Sequence, residues 1–213
     1  MKLQPRSTLS EVFGSTNNVR GFRSETVSLK ELSDIGCVLF TAASNSVDSA
    51  TRAAHAAQVD LPSTAGEYIA RSGRMAIWLS PRSWLIRCRI EDEAALASRL
   101  NDEFPGGLAH AVPHTDAICW LELSGPDAFD CLTEGSFISL QVSGLRIGHA
   151  KRALIAQVAA VIVRDDSNIW QIGVERSRAR YFVDWLTAAA DSQTVAKFSG
   201  QPRNIHGQVR DTS

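Results

Sequence analysis

The chain has 213 residues, 44% of them hydrophobic, with 22 basic and 23 acidic residues for a formal net charge of -1. So even a balance leaves no electrostatic footprint for nucleic acid or an anionic membrane, and no run approaches the roughly 18 apolar residues of a membrane span. The opening MKLQPRSTLSEVFG has no apolar signal-peptide core and no small-residue cleavage site, so the expectation is a cytoplasmic protein without a nucleic-acid or membrane partner.

Residues 1–32 are polar and mixed and read as an N-terminal arm. Gly14-Ser15-Thr16-Asn17-Asn18 is loop-like, but the second glycine and the Lys-Ser/Thr pair of a phosphate loop do not follow. Phe13 and Phe22, flanked by Arg20 and Arg23, give the arm apolar points that pack on its own domain or lie across a partner. Order begins at Ile35, where 35–42 (IGCVLFTA) predicts a strand and Asn45-Ser46 a capping turn. A helix is predicted over 47–59, with Val47, Ala50, Ala54 and Ala57 on one stripe. Leu61-Pro62-Ser63 ends it, and 65–72 reads as a short connection. Two strands, 74–79 and 83–90, are joined by Ser80-Pro81-Arg82; the second places Trp84, Ile86, Cys88 and Ile90 on one face and Leu85, Arg87 and Arg89 on the other. The spacing of Leu96, Leu100 and Phe104 predicts a helix over 92–104, stopped by Pro105-Gly106-Gly107.

The second half repeats the order. Residues 118–123 predict a buried strand with Glu122 as its one charge, and Ser124-Gly125-Pro126-Asp127 turns it into a helix over 126–132. A strand pair follows, 154–164 (LIAQVAAVIVR) and 169–174 (IWQIGV), joined by Asp165-Asp166-Ser167-Asn168. A closing helix over 177–190 sets Phe182, Trp185, Leu186 and Ala189 on one face, and 191–213 reads as a polar C-terminal tail. The expected fold is therefore α+β: a domain over 33–190 made of two pseudo-repeated β-α-β-β-α halves, about 33–107 and 108–190. Each half makes a sheet with two helices on one side, and the halves bury each other through sheets or through helix layers.

The chemical inventory is sparse. Cys37, Cys88, Cys119 and Cys131 form no CxxC pair and read as core residues. Of His55, His110, His114, His149 and His206, the pair His110 and His114 has helical metal-ligand spacing, but Pro113 between them predicts strand or turn. Asp116 could orient His114, yet no nucleophile elbow accompanies them. Glu91-Asp92-Glu93 and Asp165-Asp166 fall at a helix start and in a hairpin turn, where carboxylates serve structure. Gly106-Gly107 follows a helix, so it is no dinucleotide fingerprint. Arg164, Arg176, Arg178 and Arg180 are either solvated arginines or a basic edge for an anionic ligand. The tryptophans Trp78, Trp84, Trp120, Trp170 and Trp185 read as core, with one or two lining a subunit interface. No catalytic residue and no metal ligand is expected, and no cofactor-binding residue is identified.

Several stretches resemble the gamma subunit of heterotetrameric sarcosine oxidase. Leu79-Ser80-Pro81-Arg82-Ser83-Trp84-Leu85-Ile86 is similar to that family's leucine-glycine-proline-x-x-tryptophan-leucine hairpin. His114-Thr115-Asp116 and Leu123-Ser124-Gly125-Pro126 resemble its second-half strand and helix start, and Arg176-Ser177-Arg178 through Trp185-Leu186 resembles its closing helix. The chain departs from the family at Gly135-Ser136-Phe137-Ile138-Ser139-Leu140, and at His149 and Arg152, where a cysteine and a threonine are common. The resemblance implies a fold like the folate-binding part of the glycine-cleavage aminomethyltransferase. It also implies a place beside alpha, beta and delta subunits, chiefly alpha, in an oxidoreductase complex acting on CH-NH groups. That complex oxidises an N-methyl amino acid and hands the one-carbon unit to tetrahydrofolate; FAD, FMN, NAD, tetrahydrofolate and zinc are expected on the other subunits and none on this chain. The alternative is a free-standing folate-binding protein of the same fold, although the lysine-glycine-cysteine-tyrosine-x-glycine-glutamine run of the related iron–sulfur repair factors does not occur. RNA binding by a ferredoxin-like repeat is disfavoured by the balanced charge and the lack of an RNP aromatic pattern.

Overall fold

The computed structural model describes Ser7, Leu9 and residues 21–42, 46–141 and 143–199. Phe13, the loop at 14–18, Arg20, Asn45 and His206 fall outside the described residues. The segment read as an arm contributes two short strands, β1 (Gly21–Arg23) and β2 (Ser28–Glu31). The first half then runs β3 (Ile35–Ala42), α1 (Val47–Ala57), β4 (Tyr68–Arg71), β5 (Arg74–Ser80), β6 (Ser83–Arg89) and α2 (Glu93–Glu103). The second runs β7 (Ala109–Pro113), β8 (Ile118–Ser124), α3 (Ala128–Gly135), β9 (His149–Ile155), β10 (Val158–Asp166), β11 (Ile169–Glu175) and α4 (Ala179–Ser199).

The α+β class and the repeated halves hold, but the first half carries one strand more than the sequence suggested, β4, and the second two more, β7 and the division of 154–164. Residues 65–72 are no plain connection, because Tyr68–Arg71 pairs with β5 as β4. The single strand expected over 154–164 is the end of β9, a tight turn at Ala156-Gln157, and β10. Both turn residues have positive φ, 49° and 64°. A two-residue hairpin of this kind needs such angles and normally advertises itself with Asn or Gly. The added strands β4 and β9 occupy the same place in their halves. At the other end, α4 continues to Ser199 through residues read as tail. The strand-to-helix corner at Ser124 is as expected except that the helix opens at Ala128. Gly125 there has φ of 122°, and a Cβ on it would lie 2.2 Å from the Thr26 carbonyl oxygen, so only glycine fits.

Two antiparallel sheets result, with strand orders β4-β5-β6-β3-β7 and β9-β10-β11-β8-β2-β1. Taken from the open edge inward, the first five positions correspond one for one, with a single exchange. β2 precedes β3 in the chain yet pairs with β8, and β7 precedes β8 yet pairs with β3. Each half therefore completes its partner's sheet. The hydrogen bonds at the exchange match as well: Leu32 N–H donates to the Trp120 carbonyl at 2.8 Å, and His114 N–H to the Cys37 carbonyl at 2.7 Å.

The layers are helices, sheet, sheet, helices. Val38, Phe40, Trp84 and Ile86 pack beneath α1 and α2 with Leu96, Leu100 and Phe104. Leu121, Leu123, Trp170 and Ile172 pack beneath α3 and α4 with Phe182 and Leu186. The opposite faces of the same strands meet each other through Cys37, Ile77, Leu85, Trp120, Val161 and Val163. Central strands buried on both faces explain why 35–42 and 118–123 read as nearly continuous apolar runs. Glu122, on the same face of β8 as Trp120, is answered by Lys30 of β2, 2.8 Å away.

At the seam the halves are complementary rather than identical. Cys37 faces Arg87 across β3/β6, and the corresponding pair across β8/β11 is Trp120 and Gly173. The indole of Trp120 occupies the room Gly173 leaves: a Cβ on Gly173 would lie 3.0 Å from the indole and 2.7 Å from Ile118 Cδ1.

Two outcomes follow from this layout. Gly173→Val should overpack the seam and lower stability by about 1–3 kcal/mol, read as a lower midpoint in urea. Fragments 1–107 and 108–213, each lacking the strand that completes its sheet, should fail to fold when expressed separately. Co-expressed, they should co-purify with native circular dichroism.

Candidate functional site

The histidines do not converge. His110 lies on β7 and His114 just beyond it, and four residues along a strand span about 13 Å, too far for one metal ion. His55 is exposed on α1, and His149 begins β9. Among the described residues no three His, Cys, Asp or Glu side chains group as metal ligands. Asp116 faces Arg176 at 3.5 Å rather than orienting His114. Glu93 accepts the N–H groups of His114 and Thr115, both at 2.9 Å, and the Thr115 hydroxyl at 2.5 Å, tying α2 to the segment before β8. Glu91 and Asp92 pair with Arg89.

The basic edge imagined from Arg164, Arg176, Arg178 and Arg180 is not assembled. Arg164 is buried, donates to the carbonyls of Leu140 and Leu145 at 3.1 and 2.9 Å, and lies over the Trp170 ring at 4.6 Å from its centroid. It holds down the 140–145 loop. Arg178 and Arg180 pair locally with Glu175 and Asp184.

Polar groups gather in two places. The first is the seam between the sheets. The Arg87 guanidinium lies 4.2 Å from the centroid of the Trp120 ring and donates to Gln171 Oε1 at 2.6 Å. Gln171 in turn donates to Asp165, whose other oxygen accepts the Tyr68 hydroxyl at 3.4 Å, while Trp120 Nε1 donates to Cys37 Sγ at 3.1 Å. Burial lowers the Arg87 pKa from its ordinary value, with Cys37, Asp165 and Tyr68 acting the other way. Burial, then Asp165, raises that of Tyr68. These groups satisfy one another inside the molecule.

The second is a cleft of about 630 Å³ where the open edges of the two sheets meet. Ala150 N–H donates to the Gly66 carbonyl at 2.9 Å, and Glu67 bridges to His149, so β4 and β9 join at a corner. Trp78 and Leu79 from β5 form an apolar wall, and Arg146, Lys151 and Arg152 bring three cations against one carboxylate, Glu67. Leu79 and Arg152 also line a smaller hollow of about 280 Å³ that runs between the sheets beside Gly173. Sequence reasoning passed over this cleft. The signal available was the stretch 148–152, noted only as a departure from a family pattern.

The cysteines are where the sequence put them. All four are buried. Burial pushes the thiols of Cys37 and Cys119 up to about 12 and that of Cys88 to about 11. A thiol that keeps its proton in the fold but loses it near its ordinary value of 9 when unfolded leaves the folded state richer in protons above that pH. Stability should therefore fall as pH rises from 9 toward about 12, measured as urea midpoints. At pH 8 a disulfide reagent should label none of the four thiols in the native chain and all four in guanidinium.

The sequence matches the family described as sarcosine oxidase, gamma subunit family, over residues 42–192. Among solved structures, the fold is similar to a chain of the heterotetrameric sarcosine oxidase from Corynebacterium sp. U-96 in complex with pyrrole 2-carboxylate. Identity is 21% and the TM-score 0.77, over 93% of this chain and 98% of that one. It is also similar to the glycine cleavage system aminomethyltransferase T from Bartonella henselae, at 14% identity and a TM-score of 0.56, over 76% of this chain and 45% of that one. No curated protein matches the sequence. At such identities both structural likenesses speak for the fold. The family match over 42–192 takes in the hairpin, the strand-to-helix corner and the closing helix that carried the resemblance, and the chain belongs to the sarcosine oxidase gamma subunit family.

Proposed function

We propose that this chain is the non-catalytic gamma subunit of a heterotetrameric, sarcosine oxidase-like complex. The complex oxidises an N-methyl amino acid and passes the one-carbon unit to tetrahydrofolate. FAD, FMN, NAD, tetrahydrofolate and zinc belong to its alpha, beta and delta subunits, and alpha is this chain's chief contact. Family membership carries the reading. It is supported by how the polar groups are used: Glu93, Arg87, Gln171 and Asp165 bind strands and helices of this chain to one another. Buried Cys37, Cys88 and Cys119, which form no disulfide, suit the reducing cytoplasm. No helix among the described residues is long and apolar enough to cross a membrane.

Co-expression with candidate alpha, beta and delta chains tests the proposal. A stable four-chain complex that consumes sarcosine, and loses its integrity when this chain is omitted, is the expected result. A chain that stays alone and monodisperse, or one that binds tetrahydrofolate at micromolar concentration without partners, would replace the proposal with a free-standing folate-binding protein.

A further inference from the structure

Three of the six large apolar side chains exposed among the described residues lie in one stretch of chain: Phe137 at 71%, Ile147 at 47% and Leu154 at 49%. The fold gathers two of them, since Phe137 N–H donates to the Leu154 carbonyl at 3.3 Å along the outer edge of β9. Ile147 sits just before that strand, between Arg146 and the His149 that joins the sheet corner. The same stretch supplies the three cations of the cleft, Lys151 and Arg152 leaving β9 on opposite faces of the sheet because they are adjacent along the strand. Among the described residues Arg146, Lys151 and Arg152 have no ion-pair partner, a condition they share with Arg71 and Arg99 but not with Arg52, Arg89, Arg176, Arg178 and Arg180. A surface that exposes a phenylalanine and a leucine next to unpaired cations, in a chain whose net charge is -1, is costly for a molecule that stands alone.

We propose that this face, from Phe137 along β9 to Arg152 and into the cleft against Trp78 and Leu79, is where a partner subunit docks. The docking segment carries carboxylates flanked by apolar side chains. The inference rests on the subunit reading above and adds which surface is used and what chemistry meets it. Charge decides the occupant. A second copy meeting through the same face by a two-fold axis would set three cations against three cations. Nucleic acid would need a broader cationic field than three side chains in a neutral chain provide. A carboxylate-bearing segment answers the cations, while its apolar neighbours cover Phe137 and Leu154 and exclude water from the pairs.

The test uses the assembled complex. The triple substitution Arg146→Glu, Lys151→Glu, Arg152→Glu should weaken assembly at least tenfold at low salt, and the wild-type affinity should fall with ionic strength. Phe137→Ser with Leu154→Ser should weaken it without a salt dependence. Thermal melts of the isolated variants should match wild type, and Arg152→Gln alone provides a milder step in the same direction. Zero-length carbodiimide coupling should join Lys151 to an Asp or Glu of another subunit. Undiminished assembly of the triple variant, or coupling of Lys151 only within its own chain, overturns the docking face while leaving the subunit reading intact. Self-association of the lone chain through this face, or nuclease-sensitive retention on it, overturns the docking face too. A wild-type chain that joins no complex removes the reading and the inference together.

Discussion

An arginine laid on a tryptophan between two sheets is the contact on which the architecture depends. Face-to-face sheets ordinarily meet through apolar side chains, and here Ile77, Leu85, Val161 and Val163 do so. Arg87 is the exception, and a guanidinium removed from water is tolerated only if its charge is answered. The Trp120 ring answers one face of it, worth up to about 2 kcal/mol when desolvated, and Gln171 accepts from its edge. Gln171 is held by Asp165, and Asp165 by Tyr68, so the chain of bonds crosses from β6 to β11, β10 and β4. A sliding shift of one sheet on the other would break the whole series, which makes the relative position of the sheets unique where an apolar layer alone would leave it loose.

The exchange of β2 and β7 enforces the same unity through the backbone. A half with its own edge strand could fold first and dock later. Here Leu29 must find Leu123, and Ala111 must find Phe40, before either sheet is complete. Such pairings join residues far apart in the chain, so loop-closure entropy is lost before most contacts form, and the two halves gain stability together.

This explains which parts of the fold were legible. β3, β5, β6, β8 and β11 are long and apolar because they are buried on both faces, and their local pattern suffices. β1, at the sheet edge, and β2, between β1 and β8, are short and mostly polar, so Ser28–Glu31 looks like loop until Leu29 is seen in the core with Leu121 and Leu123. The β9–β10 turn hides because Ala156 and Gln157 hold angles more often given to Asn and Gly. The exchange itself has no local signature, since register between distant segments is written in neither. The bland expectation for the cysteines was sound because burial follows from apolar context, and of the tryptophans Trp84, Trp120 and Trp170 are buried while Trp78 lines the cleft. The expectation for Arg164 failed because its partners, the Leu140 and Leu145 carbonyls and the Trp170 ring, come from other segments.

Comparison of the two halves shows where the repeated topology is least alike. Trp84 and Trp170 hold the same place under their helices, and Ile77 and Val163 the same place in the seam, so the core has been kept. The open ends of the seam differ. At the first, Arg87 reaches in beside Ile35 and Met75; at the second, Gly173 sends nothing between Ile118 and Val161, and Arg152 stands on the rim. The edge strands differ in the same sense: β4 is four residues, while β9 is seven and exposes Lys151, Arg152 and Leu154. Core positions are constrained by packing in both halves alike, so a difference confined to one edge cannot come from the needs of the core. It is the kind of change expected where one half has kept its edge for the fold and the other has given it to a neighbour.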